Sequence, residues 1–161
     1  PTPRWLRRGA DVVLGLVGLT IVAGGFVAGL NAGLVYNTFP LMGGNFIPAD
    51  YAQLEPLVRN WFENVAAVQF DHRILAMTTV VSVVVLWLGG QFAALPSPAM
   101  RALHILLAVA LVQLALGIST LLLVVPIPLA ATHQAGAVLL LTAAIVLRHR
   151  LRGLKPPPAV A

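Results

Sequence analysis

Four stretches of this sequence are apolar for about the thickness of a bilayer, and nothing else in it constrains the fold as strongly. They run over about 11–36, 65–90, 100–125 and 128–147. Each is near the ~20 residues an α-helix needs to cross ~30 Å of hydrocarbon. In lipid, backbone N–H and C=O groups must pair within the protein, which leaves helices or closed barrels. A barrel would show ~10-residue segments of alternating polarity, whereas this chain has unbroken runs such as VVLGLVGLTIVAGGFVAGL. The expectation is an all-α, polytopic membrane protein. It is a four-transmembrane-helix bundle, a single membrane domain over 1–161, with an outer loop at about 37–64. Composition agrees, since 9% of residues are charged against ~25% in soluble domains.

The net charge of +5 does not indicate nucleic acid as a partner. The basic residues sit at span ends: Arg4, Arg7 and Arg8, then Arg101, then Arg148, Arg150, Arg152 and Lys155. That is the positive-inside pattern, and it puts both termini in the cytoplasm. The long loop and the short turn VVPIP then face outward. The loop's Tyr36, Phe39, Phe46, Tyr51, Trp61 and Phe62 suit the aromatic belt where protein meets lipid headgroups. Within it, YAQLEPLVRNWFENV reads as a short interfacial helix. The first residue is Pro1, with no Met before it, so the chain reads as a processed or truncated piece of something longer.

The absence of cysteine excludes disulfides, thiolate-bound zinc, iron–sulfur clusters and a c-type haem attached through C-x-x-C-H. A metal here needs His, carboxylate or Met. Of four histidines, His149 lies in the basic tail RHRLRG and His104 near the cytoplasmic end of the third span, both readable as interfacial residues. His72 and His133 differ. They lie about 10 Å and about 8 Å into the second and fourth spans at 1.5 Å per residue. Both spans start at the outer face, so the two imidazoles reach matching depth on parallel helices. Small residues flank them, Ala76 after His72 and Ala130, Gly136 and Ala137 around His133, leaving room for something broad and flat. Two imidazoles with little else nearby suit a porphyrin iron better than zinc or copper, which take three or four close ligands. The plainer alternative is that each histidine hydrogen-bonds a neighbouring helix.

Other residues carry two readings each. Arg73 can meet an anionic group through its forked guanidinium or snorkel to the interface. Asp71 can orient an imidazole or pair with Arg73. Gly25, Gly29 and Gly33, spaced by four, form a packing seam or a face for a flat cofactor.

Three segments, GLNAGLVYNTFPLMGGNFIP, NWFENVAAVQFDHRILA and ATHQAGAVLLL, resemble the haem A synthase family, in the form found in α-proteobacteria and mitochondria. The likeness covers about Gly24 to Leu151. It implies an eight-helix, pseudo-symmetric membrane protein of two four-helix halves, this chain resembling the C-terminal half. It also implies oxidation of a haem O methyl to the formyl group of haem A, for cytochrome oxidase biogenesis, with electrons from an unnamed donor. The C-terminal half holds a haem b in this family, and its iron ligands fall on His72 and His133, with Arg73 as a propionate partner. The family's E-x-x-H-R glutamate is Gln69 here, so no catalytic residue is assigned to this chain, and haem O would meet the missing N-terminal half. The resemblance further implies a bacterial cytoplasmic (inner) membrane location, with homo-oligomers possible and membrane lipid as surroundings. Two alternatives stand beside it: a stand-alone bis-histidine cytochrome b, and a haem-free membrane assembly subunit.

Overall fold

A computed structural model describes residues 3–152. Four long helices dominate: α1 (Arg4–Gly29), α3 (Val65–Gln91), α4 (Ser97–Leu122) and α5 (Ile127–Arg152). A single turn, α2 (Asn60–Glu63), precedes α3. Each long helix is apolar and long enough to cross a membrane. At 1.5 Å per residue they are about 40 Å long, so their ends pass beyond the hydrocarbon into the headgroup layers.

Local chemistry sets the ends. α1 starts at Arg4, seven residues before the apolar run begins at Asp11, because Arg4, Arg7 and Arg8 fall within its opening turns. Long basic side chains can lie along a helix and still keep their charge in water. The helix closes at Gly29, and Asn31 at φ 53° turns the chain into a 3₁₀ segment, Ala32–Leu34. That left-handed conformation is one that asparagine tolerates. α3 starts at Asn64, whose side chain accepts from the backbone N–H groups of Ala66 and Ala67, the standard cap for orphan donors. Pro98 lies in the first turn of α4, where its missing N–H costs nothing. Between α4 and α5, Val124 and Val125 adopt φ 59° and 56°. Left-handed backbone costs a side-chain-bearing residue ~1–2 kcal/mol, so this turn is strained.

α1 packs against α3 and α5, and α4 packs against the same two helices. α3 and α5 therefore occupy opposite corners of a four-cornered bundle. The end carrying the arginines is solid. Leu6, Ala10, Val13 and Val17 of α1 meet Val83 and Leu86 of α3, Leu103 and Leu106 of α4, and Leu140, Ala144 and Leu147 of α5 in one buried cluster. Without water between helices in a bilayer, this packing holds the bundle through close van der Waals contact. Asp11 closes the same end with Arg148 and, at 3.6 Å, Arg152.

The loop end is held by polar contacts. Tyr36 donates to Asp50 (2.9 Å) and Tyr51 to Asp71 (2.9 Å). Asn64 donates to the Asp50 carbonyl (2.6 Å) and to Asn60 Oδ1 (2.9 Å). Phe70 of α3 receives Tyr51 and Phe46 edge-on. The expected interfacial helix is shorter than its sequence suggests, a 3₁₀ turn at Leu57–Arg59 running into α2. Leu57, Val58, Trp61 and Phe62 are exposed there, and Phe62 packs on Phe26 of α1 with ring centres 5.4 Å apart.

Candidate functional site: a cavity between two histidines

At the loop end the helices line a half-open cavity of about 750 Å³, within the ~300–1,000 Å³ range of small-molecule sites. Its lining includes His72 and His133, which enter from helices at opposite corners. Each lies about two turns into its helix at 3.6 residues per turn. Ala76, Ala130 and Ala137 line the same space, so three of the four small neighbours face it. Gly136 has another use: a Cβ there would meet the Gln113 side chain.

The His72 ring is fixed by α1. Its Nδ1 lies 3.2 Å from the Thr20 carbonyl. A carbonyl only accepts, so Nδ1 carries the proton and donates. Nε2 then keeps its lone pair, the state a metal-binding imidazole requires. The ring also lies on Gly24, where a Cβ would stand 3.1 Å from His72 Cε1. Thr20 is tied in turn to Thr79 of α3, hydroxyl to hydroxyl at 2.9 Å.

His133 is held by a parallel device. Its ring lies on Gly117 of α4, where a Cβ would stand 2.9 Å from Cε1. Thr20 and Gln113 occupy matching places, each four residues before the glycine under the ring. The Gln113 carbonyl lies beside the His133 ring, yet Nδ1 is buried with no partner. The Gln113 side chain donates instead to the His133 backbone carbonyl (2.8 Å). Helix pairs α1–α3 and α4–α5 thus repeat one motif, a histidine laid on the preceding long helix's glycine.

Arg73 borders the cavity, but much of its guanidinium is already engaged. It donates to the carbonyls of Tyr36 (2.7 Å) and Thr38 (2.8 Å) and to Gln69 Oε1 (2.8 Å). Its Nε is buried without a partner. Arg73 therefore pins the start of the outer loop to α3, and two of its five N–H donors remain, on Nε and Nη1. Gln69 is buried, and its amide also donates to the Ala32 carbonyl (2.7 Å). A glutamate could take the Arg73 contact but could not donate to Ala32, so the amide has a structural reason to stand here. Asp71 meets neither Arg73 nor an imidazole and accepts from Tyr51. His104 lies near Trp87, ring centres 6.2 Å apart, and His149 is exposed in the last turn of α5.

The glycine stripe reads differently in three dimensions. A Cβ at Gly25 or Gly29 would meet nothing within 4 Å, so they seal no seam inside this chain. Gly25 and Gly33 line the cavity instead. Gly33 also packs closely, since a Cβ there would stand 2.9 Å from Val125 Cγ2, and the glycines under the histidine rings are Gly24 and Gly117. These, with Thr20 and Gln113, are what sequence reasoning missed. The available signal was a polar residue four positions before a glycine in two otherwise apolar spans.

Donor chemistry agrees with a planar iron-bearing group. Among the described residues no three His, Cys, Asp or Glu side chains converge as a metal site, so a bare ion would lack the three or four ligands zinc takes. Two imidazoles across a roomy, mostly apolar cavity fit the axial positions of a haem. The buried, unpartnered Arg73 Nε is a donor of the kind that a ligand-filled site uses.

Fold and site together define a multi-pass helical membrane protein with paired imidazoles facing one cavity. More particularly, the chain belongs to the COX15-CtaA family of cytochrome oxidase assembly proteins, whose family model matches residues 1–145. Among its relatives, "Heme A synthase" of Nitrosospira multiformis is 51% identical over 149 residues, covering 92% of this chain and 42% of that protein. "Heme A synthase COX15" of Mus musculus is 52% identical over 148 residues, covering 92% and 36%. The Homo sapiens protein of the same name is 53% identical over 147 residues, covering 91% and 36%. The chain therefore spans about two fifths of the length of the curated relatives it matches. No solved structure matches it.

Proposed function

We propose that this chain is the C-terminal, haem b-binding half of a haem A synthase, with His72 and His133 as the two iron ligands. One observation carries the reading: imidazoles from opposite corners of the bundle line a single cavity, one with its Nε2 freed by a backbone carbonyl. A haem held by these two imidazoles would supply single-electron transfer. Thr20 orients His72 and sets its tautomer, Gly24 and Gly117 set the depth of the two rings, and the unpartnered Nε of Arg73 would hold a propionate. The packed core at the basic end closes the cavity from below.

Conversion of haem O to haem A belongs, in this reading, to the whole protein. The oxidoreductase chemistry takes place in a second half, with electrons from a donor outside this chain. Gln69 supports that division, since an amide hydrogen-bonded to Ala32 and Arg73 supplies no carboxylate. The spans sit in the bacterial cytoplasmic membrane with the arginine-bearing ends in the cytoplasm, as the charge distribution favours.

The test is a reduced-minus-oxidised absorbance spectrum of the chain, purified from haem-replete membranes, beside His72→Ala and His133→Ala. The reading expects a b-type low-spin spectrum that is lost in both variants. A folded, helical and colourless protein, or a spectrum that survives both substitutions, would overturn it in favour of a haem-free subunit or other ligands.

A further inference from the structure

The two histidine clamps repeat each other with one difference. On the α1–α3 side the matched position is Thr20, and His72 Nδ1 donates to its carbonyl. On the α4–α5 side the matched position is Gln113, whose carbonyl lies beside the ring but makes no hydrogen bond to the buried His133 Nδ1. Gln113 Oε1 is also buried with no partner. The Gln113 amide is anchored by its Nε2–H donating to the His133 carbonyl (2.8 Å). That bond fixes which end of the amide is which, because the opposite assignment would set two acceptors against each other. A donor and an acceptor, both stripped of water, thus share one seam between α4 and α5. Gly136 is what admits the amide, since any Cβ there would occupy its place. Leaving either group unpaired is costly, because neither can recover its hydrogen bond from water.

Resting on the ligand assignment above, we propose that Gln113 is the positioning residue for His133, with its Oε1 accepting the hydrogen bond from Nδ1–H. Its amide then holds the residue at two points, backbone and ring, where Thr20 holds His72 at the ring alone. The two ligands are unequal as a result. An imidazole that donates from Nδ1 is a more basic ligand and favours ferric over ferrous iron. Gln113 is therefore the side chain through which the protein sets the potential of its haem from the α5 side, a lever that ligand surroundings provide.

The experiment is a redox titration of the haem-loaded protein with Gln113→Leu and Gln113→Glu beside the parent, with the low-spin spectrum recorded for each. Both variants lose the donor to the His133 carbonyl, and only glutamate keeps an acceptor. The expected result is a split. Leucine raises the ferrous-to-ferric ratio about tenfold at fixed potential, ~59 mV for one electron, and glutamate leaves it at or below the parent value. Equal shifts in the two variants, or an unmoved leucine variant, overturn the proposal and assign His133 Nδ1 to the Gln113 carbonyl. Should leucine fail to hold haem, a glutamate potential above the parent overturns it and one at or below supports it. A parent protein with no low-spin haem sinks the ligand assignment itself, before Gln113 is at issue.

Discussion

Replacing Gly117 by alanine tests whether the rings are seated by glycine. The added methyl would stand 2.9 Å from His133 Cε1, where carbon–carbon contacts settle at ~3.5–4.0 Å. The obstructing atom belongs to a ring packed on α4, so the ring must move by ~0.6 Å or more to restore ordinary contact. A binding constellation tolerates ~0.5 Å. Overpacking of this kind costs ~1–3 kcal/mol, and if it falls on the ligand position, haem affinity drops about 5- to 150-fold. Fold stability should move far less, because alanine regains up to ~1 kcal/mol of helix propensity over glycine. The assay is haem titration followed by absorbance, with a thermal melt of the same samples. Gly15→Ala is the control, since a Cβ there meets nothing within 4 Å, and it should bind haem like the parent. Parent-like affinity in Gly117→Ala would refute the claim that the glycine seats the histidine. Gly24→Ala, with 3.1 Å to His72 Cε1, should show the same effect more mildly.

Two further outcomes concern the outer loop. Asn64→Ala removes the α3 cap and the bonds to Asp50 and Asn60. It should cost about 2–4 kcal/mol, read as a lower midpoint in detergent-phase thermal unfolding. The hydrogen bond to Asp50, with some burial and the carboxylate charge, raises the Tyr36 phenol above its ordinary 10.0. The stability this contact lends is therefore whole below the free phenol's pKa and is lost as pH rises through the raised value. In a Tyr51→Phe background, ultraviolet titration should find Tyr36 ionising above pH 10, and Asp50→Asn should bring it back toward 10.

The spans were legible because apolar length is a one-dimensional signal. Their first boundary was not. Hydropathy places the start at Asp11, yet Arg4, Arg7 and Arg8 are helical, since a basic side chain on a helix end costs little when its charge reaches water. Hydropathy also runs past Gly29 to Tyr36, while Asn31 in the left-handed region breaks the helix there. The histidine pair was legible from matched depth. Its support was not, because Gly24 and Gly117 stand on other helices and only packing brings them to the rings. Arg73 shows the same limit. Its charge beside His72 suggests an anion partner, but the carbonyls of Tyr36 and Thr38 that engage most of it are 37 and 35 residues away. Asp71 next to Arg73 reads as an ion pair, and the helix turns it toward Tyr51 instead.

The central claim is that His72 and His133 bind one iron together. Low-temperature electron paramagnetic resonance of the oxidised, haem-loaded protein tests it most directly. Two imidazole ligands give a low-spin ferric signal, and His72→Ala or His133→Ala should each convert it to high spin or empty the site. A high-spin signal in the unaltered protein, or a low-spin signal untouched by either substitution, would contradict the account.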